Sequence, residues 1–220
     1  MQTFDPSSAA VSGGLYGLPF TPEASRVVLL PVPWEATVSY GAGAADGPQA
    51  ILEASRQVDL RDRDTGRPYE GGIAMLPIST EVRAWSDEAR RLAQPVIANG
   101  GPGARPDLQQ AAAQVNALSE RMNQWVYEEC ARWMRAGKLV GVVGGDHSSP
   151  FGGLRAAAEA DPGLGVLHVD AHADLRDGYE GFRWSHASIM FNVARDIPGI
   201  ERIVQIGIRD YSDDEDALIR

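Results

Sequence analysis

The sequence predicts an α/β fold built on a mainly parallel sheet, and three observations support that prediction. Three short apolar runs, LVGVV at residues 139–143, GVLHV at 165–169 and IVQIGI at 203–208, are almost continuous in hydrophobicity. Strands read this way when helices cover both faces of a parallel sheet. The stretches between them, 150–160 and about 186–195, read as helices, so strand and helix alternate. Two polar clusters, GGDHS and DAHAD, follow directly on two of the runs. In open α/β sheets that is where ligands bind.

In chain order, residues 1–25 are rich in Pro, Ser and Gly and read as an irregular arm ahead of a domain over 26–220. Residues 26–32 (RVVLLPV) form a strand stopped by Pro33. A Gly-rich loop, SYGAGAADGP, then leads to Pro48, which is well placed to open a helix through AILEAS. Residues 72–78 (GIAMLPI) suggest a second strand, and 98–106 (ANGGPGARP) a loop. The longest helix starts at Pro106 or Asp107 and runs to about Ala136. Its stripe of Leu108, Ala112, Val115, Leu118, Met122, Trp125, Cys130 and Trp133 recurs at three- and four-residue steps. Gly137 ends it as a left-handed cap residue. No internal repeat or low-complexity tract interrupts the pattern.

With 220 residues, 44% of them hydrophobic and 23% charged, the chain can bury a substantial core. A net charge of -10 and the lack of any Lys/Arg cluster exclude nucleic acid as a partner. The single cysteine, Cys130, cannot form an internal disulfide and falls on the apolar stripe, where a thiol is a small hydrophobe. The N-terminus lacks a basic segment followed by an apolar run, and no stretch approaches a membrane span. The expectation is a cytoplasmic protein without a membrane partner.

The cluster after residue 169 carries chemistry. Strand side chains alternate, so Asp170, His172 and Asp174 leave the backbone on one side for as long as it stays extended. Two carboxylates flanking an imidazole form a ligand set for a divalent cation. Left unpaired beside a buried strand, they would cost on the order of several kcal/mol. Gly144 and Gly145 permit a tight turn that brings His147 to the same edge, with Asp146 beside it as an orienting group. Mixed Asp/His ligation favours Mn²⁺ or a similar ion over the thiolate sites of structural zinc, with nickel, iron and cobalt open on ligand type. His168 shares the strand parity of Asp170 but lies deeper, as a buried structural or orienting histidine.

GGDHS, VDAHADLR and WSHASIM, in this order, resemble the ureohydrolases, the group of arginases, agmatinases and formimidoylglutamases. LPVPWEATVSYGAGAADGPQAI is similar to that family's first strand, loop and helix. The resemblance implies a three-layer α-β-α, arginase/deacetylase-like fold and a site of two Mn²⁺ bridged by hydroxide, which attacks a guanidinium carbon. It implies that His147 binds one metal, His172 the other, that Asp170 bridges them, and that Asp174 is both ligand and catalytic residue. It makes His186 the acid/base or proton shuttle near the site entrance. The partner implied is a small cationic guanidino compound, and the assembly a homo-oligomer, trimer or hexamer.

LRDGYEGFRWSH looks agmatinase-like, and Ser212 stands where an arginase places an aspartate for the substrate's amino group. Arg176, Tyr179 and Glu180 are candidates for shaping the pocket. Agmatine, guanidinobutyrate, another guanidino acid and guanidine all fit. The resemblance also implies an Asp-x-Asp pair after a later strand and a downstream glutamate. Neither occurs before Arg220, and Asp214-Glu215-Asp216 reads instead as the acidic first turn of a helix. The expectation is therefore the first two-thirds of a ureohydrolase, poorly folded and without turnover as 220 residues alone. A catalytically inactive ureohydrolase-like subunit is the rival reading. A single-metal deacetylase is the weaker one, argued against by the Asp-x-His-x-Asp triad together with GGDH.

Overall fold

The computed structural model describes residues 13–219. Of the N-terminal arm, residues 13–25 fall within it and contain a single 3-10 turn, Leu15–Gly17, with Leu15 and Leu18 fully buried. Among the described residues five strands are parallel wherever they pair: β1 (Val27–Val32), β2 (Ile73–Met75), β3 (Leu139–Gly144), β4 (Leu164–Val169) and β5 (Ile200–Ile206). Helices α1 (Gly47–Ala54), α2 (Thr80–Ala98), α3 (Pro106–Arg135), α4 (Phe151–Ala160), α5 (Ile189–Asp196) and α6 (Asp213–Ile219) lie between and after them.

The strands form two separate sheets, β2-β1-β3 and β4-β5. Among the described residues β3 pairs only with β1 and β4 only with β5, so each keeps one unpaired edge. The first sheet packs its Val28, Leu30 and Val32 against the apolar faces of α2 and α3, including Val82, Ala89, Val115, Met122 and Val126. The second packs Val166, Ile200 and Ile203 against α4 and α5. Its other face carries the cross-strand pairs Leu167–Val204 and Val169–Ile206, and all four side chains are exposed.

The elements follow from local chemistry. Helix α3 matches the stripe read from the sequence, with Pro106 in its first turn and Gly137 left-handed beyond its end. Helix α2 was not anticipated from the sequence. Ser79 caps it by accepting the Val82 N–H, and Val82, Trp85, Ala89, Ala93 and Val96 bury one face. Its Pro95, three residues before the end, masks the pattern. β2 is shorter than the anticipated 72–78, and its ladder with β1 closes with the Leu76 N–H donated to the Leu29 carbonyl at 2.9 Å. β5 begins and ends earlier than 203–208, with the left-handed Gly207 just past its end. The 186–195 helix begins as a 3-10 turn, His186–Ser188, before α5. No helix among the described residues is long and apolar enough to cross a membrane.

Candidate metal centre

The site lies beyond the carboxyl ends of β3 and β4. The end of β3 is tied to that of β1: Gly145 N–H donates to Val32 O at 3.2 Å and Asp146 N–H to Trp34 O at 2.8 Å. This turn delivers His147 toward β4, with its ring centroid 5.2 Å from that of His168. Asp146 does not reach His147. Its Oδ1 accepts the N–H and hydroxyl of Ser148, while its buried Oδ2 has no partner, and burial pushes its carboxyl above the usual range.

The anticipated extended run of 170, 172 and 174 is replaced by a turn. The backbone bends at Ala171, where the Asp170 carboxylate accepts the His172 N–H at 2.9 Å. Asp174 is left-handed at φ 53°. That conformation is uncommon outside glycine but tolerated by Asp. Asp170 and Asp174 still converge, both on the His147 ring. His147 Nδ1 lies 2.6 Å from Asp174 Oδ2 and 3.4 Å from Asp170 Oδ2.

Donor atoms of His147, His168, Asp170 and Asp174 all lie within 4.8 Å of one another. His168, set aside from the sequence, thus stands in this tight group, 4% exposed. His172 stands at its rim with 59% of its side chain exposed, Nδ1 3.3 Å from Asp170 Oδ1 and Nε2 4.0 Å from Asp210 Oδ2. His147, Asp170, His172, Asp174 and His186 line one cavity of about 200 Å³ together with Glu215.

Burial opposes protonation of His147, but the Asp174 and Asp170 carboxylates outweigh it and raise its pKa. For His168 burial prevails, aided by His147, and its pKa falls. Burial works against ionised Asp170 too, yet the His172 N–H and the two histidines hold its pKa below the ordinary value. The cluster therefore favours Asp170 as a carboxylate, the form a divalent cation requires, whereas the raised pKa of His147 means that a cation binding there displaces a proton.

Two groups support the site from outside the cluster. Thr37 Oγ1 accepts the His186 backbone N–H and shares a hydrogen bond with Nδ1, both at 3.2 Å, which orients the ring. Glu215, 3% exposed, accepts from Leu175 N at 3.0 Å and from Ser212 N and Oγ at 2.8 Å. It pins the segment that carries Asp174 to the start of α6. Glu215 was read as helix-dipole charge, and its sequence-local signal, an acid three residues after Ser212, reveals only half of this role.

Fold and site together define a class: α/β proteins that gather carboxylates and imidazoles beyond the carboxyl ends of parallel strands. The arginase family model matches residues 25–220, and the chain belongs to the arginase family. It is 33% identical over 207 residues to N(1)-aminopropylagmatine ureohydrolase of Thermus thermophilus, covering 94% of this chain and 59% of that one. The agmatinase of Bacillus anthracis is 26% identical, covering 85% of this chain and 53% of that one. Among solved structures, agmatine ureohydrolase of Thermoplasma volcanium superposes with a TM-score of 0.64 at 23% identity, over 94% of this chain and 57% of that chain. The chain spans between half and three-fifths of the length of the curated relatives it matches.

Proposed function

We propose that the protein takes part in manganese-dependent hydrolysis of a guanidino compound, agmatine or an amine-bearing analogue, to urea and an amine. The convergence of His147, Asp170 and Asp174 in a chain of the arginase family carries this reading. The relatives named for aminopropylagmatine and agmatine favour agmatine or its aminopropyl derivative over arginine, as does Ser212 in place of a carboxylate.

The residues fit a divalent ion. Two carboxylates and an imidazole face one another, the donor set is hard and mixed O/N, and His172 adds a further imidazole at the rim. His147, Asp170, His172 and Asp174 would hold the metal, with Asp170 between the two histidines. When bound, such ions supply the Lewis acidity that makes water a nucleophile near neutral pH. The chain's own residues do the rest. The carboxylates favour a guanidinium in the cavity and Asp174 accepts a proton from the attacking water. His186, oriented by Thr37, gives a proton to the departing amine as the bond between the guanidinium carbon and the alkyl-bearing nitrogen breaks.

The test is urea release by the manganese-loaded, full-length protein across arginine, agmatine, N(1)-aminopropylagmatine, guanidinobutyrate and guanidine. Agmatine or its aminopropyl derivative should give the highest kcat/KM. A protein that binds manganese but releases urea from none of them overturns the proposal.

A further inference from the structure

We infer that Gln205 and His168 form a relay that positions Asp170, the histidine acting as a hydrogen-bond donor and not as a metal ligand. Gln205 and His168 are direct cross-strand partners on β5 and β4. The Gln205 Nε2 lies 2.7 Å from the Ala173 carbonyl oxygen and 2.8 Å from His168 Nδ1. A carbonyl oxygen only accepts, so the group facing it is the amide NH₂, and this fixes the orientation of the glutamine. The second amide hydrogen then meets Nδ1, which accepts it with its lone pair. That places the ring proton on Nε2.

Nε2 is buried and has no hydrogen-bond partner of ordinary length, and Asp170 Oδ2 stands 3.4 Å away. A buried N–H left unpaired costs about 1–3 kcal/mol, so closing that gap by a few tenths of an ångström is favourable. A protonated Nε2 has no lone pair for a cation. Of the four clustered residues, three are therefore ligands and His168 orients one of them. Both Asp170 oxygens become directed: Oδ1 by the His172 N–H and Oδ2 by the His168 Nε2–H. Outer donors of this kind orient metal ligands and tune their basicity.

The inference rests on the reading that the cluster holds a metal, and two measurements separate the two. In the intact, metal-free protein with ¹⁵N-labelled histidine, the relay requires the His168 proton on Nε2, and a proton on Nδ1 overturns it. In Mn²⁺ titration calorimetry, His168→Phe and Gln205→Leu should each weaken binding by about 10–100-fold. His168→Gln, which carries an amide N–H in reach of Asp170, should restore most of the loss. Unchanged affinity in His168→Phe, or no rescue by His168→Gln, overturns the relay. If His168→Phe fails to fold, Gln205→Leu and the tautomer decide. Absence of Mn²⁺ binding in the unsubstituted protein overturns the metal reading instead and leaves the tautomer measurement to judge the hydrogen bonds.

Discussion

Gly145 and Trp34 pack backbone against backbone: a Cβ on Gly145 would stand 1.8 Å from the Trp34 carbonyl oxygen. The same carbonyl accepts the Asp146 N–H, so the contact that excludes a side chain also fixes the turn leading to His147. Only glycine permits this approach.

Gly145→Ala should therefore destabilise the fold by about 3 kcal/mol or more, beyond ordinary overpacking because the obstacle is backbone. Denaturant unfolding measures it. Any folded fraction should also bind Mn²⁺ more weakly, since Asp146 and His147 move with the turn.

Asp174→Asn tests the metal reading without disturbing the backbone, because Asn tolerates the left-handed conformation at this position. Mn²⁺ affinity should fall by at least about 100-fold, roughly 2.8 kcal/mol. The metal-free Tm should stay near that of the unsubstituted protein. Chelation of the metal-loaded protein should lower its Tm, since saturation at 100 times Kd contributes about 2.7 kcal/mol.

Acid should act through Glu215. Burial opposes its charge, but the Ser212 and Leu175 donors outweigh it and lower its pKa from 4.5. The unfolded chain then binds the proton more readily than the folded one, so this contribution to stability is complete above about pH 4.5 and is lost as pH falls through the folded value. Glu215→Gln should lower Tm at neutral pH and flatten its decline below that point. Calorimetry from pH 7 downward, with buffer matched between the two proteins, checks both.

Under the proposed guanidino reading, Glu180, whose charge acts on His186, is the candidate partner for the substrate's distant amine. Its Oε2 is buried without a partner, and burial raises its carboxyl pKa while the nearby His186 opposes the rise. Glu180→Gln should raise KM for agmatine about tenfold, near 1.4 kcal/mol. KM for guanidine, which has no tail, should be unchanged. Steady-state kinetics on both substrates provides the comparison.

The sequence disclosed what local pattern and donor chemistry can encode. Helix α3 was legible because its stripe runs without a break, and Asp170, Asp174 and His147 because such donors at strand ends have few other uses. Helix α2 was hidden by Pro95. The bend at Ala171 was hidden because alternation assumes a strand, whereas Asp170 captures the His172 N–H and turns the chain. Burial of His168 was legible from parity, but its proton is placed by Gln205, 37 residues away. Glu215 depends on a backbone N–H 40 residues upstream. Contacts of that span are products of the fold and leave no local signature.

The uncovered face of β4 and β5 sets how this chain behaves as a solute. Leu167, Val169, Val204 and Ile206 stand in water as one apolar strip, and each square ångström sheltered by a neighbour gains about 25 cal/mol. Light scattering should show apparent mass rising with concentration and with sulfate, and falling in mild urea. Leu167→Lys with Val204→Glu, an opposite-charge cross-strand pair on that strip, should hold the mass constant at unchanged Tm. Solubility and fold are then separately adjustable, because the strip lies on the face of the strands away from the core and from His168.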